Sequence, residues 1–121
     1  MYHSIYVAEP NPVVRLDLDG ALTAQFPHYD LFIRPDLSEV EARLNGHRDR
    51  LIVSSSLTGP ANMEVLRDVA SRGVPIIFLG ETVAAPFPAS TLLFPFSTEM
   101  VIEALSNGVA DPPERPLEGR T

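Results

Sequence analysis

Apolar residues change their spacing several times along the chain, and each change marks a predicted element. Ile5-Tyr6-Val7-Ala8 is a short β-rich run, cut off by Pro10 and Pro12. Asn11 stands where a helix N-cap belongs, with proline at the first helical position. Val14, Leu18, Ala21 and Leu22 then share one helical face, opposite Arg15, Asp17 and Asp19. Tyr29 to Arg34 reads as a second strand ending at Pro35. Asp36 or Ser38 is placed to cap a second helix through Val40, Ala42 and Leu44, and Asn45-Gly46 stops it. Leu51-Ile52-Val53 is continuously apolar, as a strand covered on both faces should be, and runs into the polar Ser54-Ser55-Ser56.

A third helix is expected from about Pro60 to Ser71, with Met63, Leu66, Val69 and Ala70 inward and Gly73 as its stop. Val74 to Leu79 makes a fourth strand. The connection from Gly80 to Ser90 is too short, and too broken by Pro86 and Pro88, for a multi-turn helix, so a loop or single turn is expected there. Thr91-Leu92-Leu93 is a short fifth strand. Ser97 or Thr98 caps a last helix carrying Val101, Ala104 and Leu105, with Glu99 in its first turn and Asn107-Gly108 closing it. From Val109 the chain is rich in proline and poor in apolar residues, which predicts a flexible tail over 109–121 behind a domain over 1–108. Strict alternation of strands and helices predicts an α/β, doubly wound, open parallel sheet with right-handed crossovers.

Composition narrows the chemistry. The chain has 121 residues, enough for one compact core. It contains no cysteine, which excludes disulfides, thiol catalysis and thiolate metal sites. Nine basic against sixteen acidic side chains give a net charge of −7, which argues against nucleic-acid and anionic-membrane partners. No apolar run approaches ~18 residues and no leader pattern opens the chain, so a soluble, cytoplasmic protein is expected. His3, His28 and His47 lie in separate elements without ligand spacing, and no metal or other cofactor is expected. No Gly-rich phosphate loop, Ser-His-Asp pattern or catalytic carboxylate pair is present at a defensible spacing.

Tyr6-Val-Ala-Glu-Pro-Asn-Pro-Val-Val-Arg15 resembles the opening of response-regulator receiver (CheY-like) domains, where a strand ends in an acidic pair before a proline-capped helix. Gly73-Val-Pro-Ile-Ile-Phe-Leu79 resembles the family's fourth strand. Leu93-Phe-Pro-Phe-Ser-Thr-Glu-Met100 resembles its Lys-Pro-Phe turn and last helix. In register over roughly residues 3 to 107, these motifs imply a flavodoxin-like fold with strand order 2-1-3-4-5 and a shortened or missing fourth helix. They also imply a cis bond at Phe94-Pro95. Another flavodoxin-like domain is the alternative.

Receivers accept a phosphoryl group on an aspartate beside a divalent cation, and the resemblance allows each position of that machinery to be checked. The metal-holding acidic pair falls on Glu9 and Pro10, so one carboxylate is lost. The phosphoacceptor aspartate matches Ser54, the switch hydroxyl of strand four matches Gly80, and the lysine of strand five matches Phe94. Only Glu9 is chemically equivalent, and its plain reading is a solvated or hydrogen-bonded carboxylate. The expectation is therefore a degenerate receiver, a pseudo-receiver that is not an enzyme and has no catalytic residue. It would act by phosphorylation-independent binding of a protein partner of unknown identity.

Phe87, Phe94 and Phe96 are the candidate partner-binding residues, with a homodimer through the strand-four, strand-five and last-helix face as one form. The other reading of these rings is that they fill the space of the missing helix. The alternative function is a small-ligand or anion sensor using the strand-end pocket around Glu9, Ser54 and Gly80. A receiver phosphorylated on serine by an unrelated kinase is a third.

Overall fold

A computed structural model describes residues 4–46, 48–93 and 96–109. Its elements are β1 (Ser4–Ala8), α1 (Pro12–Gln25), β2 (Asp30–Arg34), α2 (Ser38–Glu41), β3 (Asp49–Ser54), α3 (Pro60–Ser71), β4 (Ile76–Gly80), β5 (Ser90–Leu93) and α4 (Thr98–Val109). The five strands form one all-parallel sheet in the order β2-β1-β3-β4-β5. This is the flavodoxin-like arrangement expected, and no helix forms between β4 and β5. His3, His47, Phe94, the Phe94-Pro95 bond and the tail beyond Val109 lie outside the described residues.

Alternation along the strands builds two cores. Ile5, Val7, Ile52, Ile77, Leu79 and Leu92 face Leu18 and Leu22 of α1 and Val101, Ala104 and Leu105 of α4. Tyr6, Ala8, Leu51, Val53, Ile76 and Phe78 face Leu37, Val40, Leu66 and Val69 on the other side. Every residue of β3 is buried, which explains its unbroken apolar run. Asn11 caps α1 by accepting the Val13 N–H at 2.9 Å, and the Ser97 hydroxyl accepts the Met100 N–H at 3.2 Å at the start of α4.

The second helix differs from expectation. It ends at Glu41 rather than reaching Leu44, and neither Asp36 nor Ser38 caps it, since Leu37 occupies the N-cap without a side-chain bond. Burial of Leu37 and Val40 holds it instead. Its far end is taken up by Arg72, whose guanidinium donates to the carbonyls of Glu41 and Leu44 at 3.1 and 3.0 Å and pairs with the carboxylates of Glu41 and Asp68. A cation at a helix carboxyl end satisfies carbonyls that the helix cannot. At the end of α3, Gly73 adopts φ 84°, the left-handed conformation expected of a helix-stopping glycine.

In place of a fourth helix, Val83, Ala85 and Phe87 of the connection pack on the second core. The Phe87 ring stacks on Phe78 with centroids 6.2 Å apart. Phe96 packs on the opposite core, as do Met100 and Val14. Both rings thus serve the core on at least one side. Leu93 is 48% exposed. Among the described residues no helix is long and apolar enough to cross a membrane.

Candidate functional site

Parallel pairing decides which residues share the carboxyl end of the sheet. Ala8 is registered with Val53, which sets Glu9 level with Ser54, and Ser54 is registered with Leu79, one residue before Gly80. Glu9, Pro10, Ser54 and Gly80 therefore gather on β1, β3 and β4, as the sequence implied. Phe94 directly follows Leu93, which pairs with Gly80. This is the edge where open α/β sheets carry ligands.

The groups gathered there bond mainly to the turns that follow their own strands. Glu9 is only 3% exposed, so it is a buried carboxylate rather than a solvated one. Its Oε2 accepts the Asn11 N–H at 2.8 Å, which also fixes the proline-flanked turn into α1. Arg15, one turn into α1, reaches back and donates from Nη1 to the carbonyls of Glu9 and Pro10 at 2.8 and 3.0 Å. The guanidinium thereby puts a positive charge against the β1–α1 turn. Arg15 was missed from sequence because it reads as one polar residue on the outer face of α1. Its distance of six residues from Glu9 is the only signal that could have flagged it.

On β3, Ser54 is 6% exposed. Its hydroxyl lies 2.8 Å from the Ser56 hydroxyl and accepts the Ser56 N–H at 3.2 Å. The rest of the loop is tied in the same way. Ser55 N–H donates to the Leu79 carbonyl at 2.8 Å, Leu57 N–H to the Ser54 carbonyl at 2.9 Å, and the Thr58 hydroxyl to the Ser55 carbonyl at 2.8 Å. These are the local side-chain turns that Ser and Thr form readily.

Gly80 has φ 117°, a backbone conformation that a β-branched residue adopts only under strain. A threonine at this position would thus conflict with the turn itself.

A magnesium ion, which the fold family implies, fits this donor set poorly. Hard divalent cations take carboxylates, carbonyls and water. Of Glu9, Pro10 and Ser54 only Glu9 is anionic, its Oε2 is bonded to a backbone amide, and the adjacent carbonyls already accept from Arg15. Among the described residues no three His, Asp or Glu side chains are grouped to hold a metal.

A groove of about 390 Å³ runs between β5 and α4, lined by Ser90, Thr91, Leu92, Met100, Glu103 and Ala104. Another, of about 280 Å³, adjoins the β1–α1 turn and is bounded by Pro12, Arg15, Leu16, Asp19 and Ile33. His28 is exposed, at the turn before β2.

In three dimensions the chain is similar to the chemotaxis protein CheY4 of Vibrio cholerae, at 18% sequence identity and a TM-score of 0.67, covering 88% of this chain and 98% of that one. It is similar to a response regulator receiver domain protein of Bacillus halodurans, also at 18% and 0.67, covering 89% and 97%. The response regulator StyR matches at 18% and 0.66, over 88% of this chain and 58% of that chain. At that level of identity the likeness establishes a receiver-like fold. No family model matches the sequence, and no curated protein does.

Proposed function

We propose that this chain is a degenerate receiver, a signalling module that binds a protein partner without an aspartyl-phosphate switch and without catalytic chemistry of its own. The observation that carries the reading is the residue level with Glu9 on β3. It is Ser54, a buried hydroxyl already bonded to Ser56, where phosphoryl transfer within this fold needs a carboxylate nucleophile. A serine hydroxyl gains comparable reactivity only beside a base that removes its proton. The nearest carboxylate by register, Glu9, bonds instead to the Asn11 amide. Arg15 at the β1–α1 turn and the left-handed backbone of Gly80 support the same reading.

In this reading the β4–β5–α4 side is the partner face, whether the partner is a second copy or a different protein. That side has no helix between its strands, and it exposes Leu93. The anion-sensor alternative is weaker, because the Ser54 and Ser56 hydroxyls are bonded to each other and Glu9 adds negative charge to the same edge. Intact-mass measurement after incubation with acetyl phosphate and Mg²⁺ tests the proposal. An unchanged mass is expected, and a stoichiometric phosphoryl adduct overturns it.

A further inference from the structure

The two edge strands of the sheet are finished differently. β2 carries Asp30 and Arg34 at its ends, is followed by Pro35, and has Phe32 stacked on Tyr6 at 5.1 Å beneath the Arg43 guanidinium at 5.0 Å. Charges and proline on an edge strand discourage pairing with another chain. β5 is a four-residue Ser-Thr-Leu-Leu strand that carries no charge, stands in the sequence between Pro88 and Pro95, and among the described residues pairs with β4 alone.

Beside that open edge lies the 390 Å³ groove. Leu92 and Ala104, both buried, and the half-buried Met100 give it an apolar floor, and the exposed Glu103 gives it an acidic wall. Glu99 stands one helical turn before Glu103 on the same face of α4. The groove beneath α1, by contrast, sets Arg15 beside Asp19 and presents no net charge.

We infer that β5 and the β5–α4 groove accept an extended, basic segment of a partner protein, which adds to the sheet as a sixth strand. Strand addition supplies main-chain hydrogen bonds along β5, and alternate side chains supply selectivity. Side chains on the α4 side meet Glu103 and Glu99, which calls for lysine or arginine. Those on the opposite side meet Thr91 and Leu93, which calls for apolar residues. A second copy of this chain fits the edge less well, since it would bring another pair of glutamates and another net charge of −7 to the same seam. The inference rests on the partner-binding reading above and names the chemistry of the partner.

The test is an NMR titration of the full chain, labelled with ¹⁵N, with a capped peptide of alternating lysine and valine. The expected result is saturable shifts at the amides of residues 90–93 and along the Met100–Ala104 face of α4, weakening as salt is added. The same peptide with glutamate for lysine should produce none. Glu103→Lys should weaken binding of the lysine peptide about tenfold. Glu64→Lys, which changes net charge equally on exposed α3, should leave it unchanged.

Equal binding of both peptides, equal loss in both variants, or shifts confined to other faces overturns the inference. Concentration-dependent shifts at residues 90–93 without peptide would show a second copy on the edge and overturn it as well. None of these results bears on phosphoryl transfer, which is read by intact mass, so the two proposals fail independently.

Discussion

The two flanks of the sheet solve the same problem in opposite ways. On the β1–β2 flank, Tyr6, Phe32 and Arg43 stack in a column, Arg15 ties the β1–α1 turn, and α2 is held by Arg72. On the β4–β5 flank a proline-broken loop lays Phe87 on Phe78 where a helix would otherwise stand, and β5 keeps an uncharged edge and an exposed Leu93. The first flank bonds its polar and aromatic groups internally while α1 beside it exposes Val13 and Leu16, and the second leaves an uncharged strand edge with Leu93 exposed. Under the proposed function, binding falls to the second flank because its edge strand carries no charge.

Truncation on each flank gives the widest contrast. Tyr6→Ala removes a ring that is 6% exposed and should cost about 3–5 kcal/mol in urea unfolding, whereas Leu93→Ala should change stability by less than about 0.5 kcal/mol. Equal costs would erase the distinction between the flanks.

Gly80→Thr introduces a β-branched side chain and a hydroxyl at the end of β4 and should destabilise by about 1–3 kcal/mol because φ is 117°. An unchanged urea midpoint would show that the turn adapts freely. Arg15→Met keeps much of the side-chain length and removes the bonds to the Glu9 and Pro10 carbonyls, for a loss of about 1 kcal/mol, discounted for partial exposure.

The smallest effect is a pH dependence. Burial, followed by the charge of Asp49, raises the Tyr6 pKa above its ordinary 10.0. Folding therefore favours the neutral phenol. The associated stability is complete below pH 10.0 and is lost as pH rises through the higher folded value. Unfolding midpoints measured across that range should fall less steeply for Tyr6→Phe than for the parent chain. Parallel curves would assign the alkaline loss to other groups.

Local signals carried most of the fold. Asn11 before Pro12, the unbroken apolar run of β3, and Pro86 and Pro88 in a short connection each fix structure within a few residues, and each predicts what forms. The second helix was overestimated because what ends it comes from Arg72, far along the chain.

The candidate site was legible as a set of positions, since in a parallel sheet the residues that follow each strand gather at one edge. Its inner bonding was not. Glycine at position 80 permits a left-handed backbone without requiring one, and neither the burial of Glu9 nor the bond between Ser54 and Ser56 leaves a periodic trace. The acidic groove likewise needs β5 and α4 side by side before Glu103 acquires meaning.

The central proposal is that the carboxyl end of β1, β3 and β4 does not receive a phosphoryl group. Titration of the ¹⁵N-labelled chain with beryllofluoride and Mg²⁺, followed residue by residue, addresses it most directly. The amides of Glu9, Ser54, Ser55 and Gly80 should stay at their starting positions throughout. Saturable shifts at those residues, dependent on both components, would contradict it.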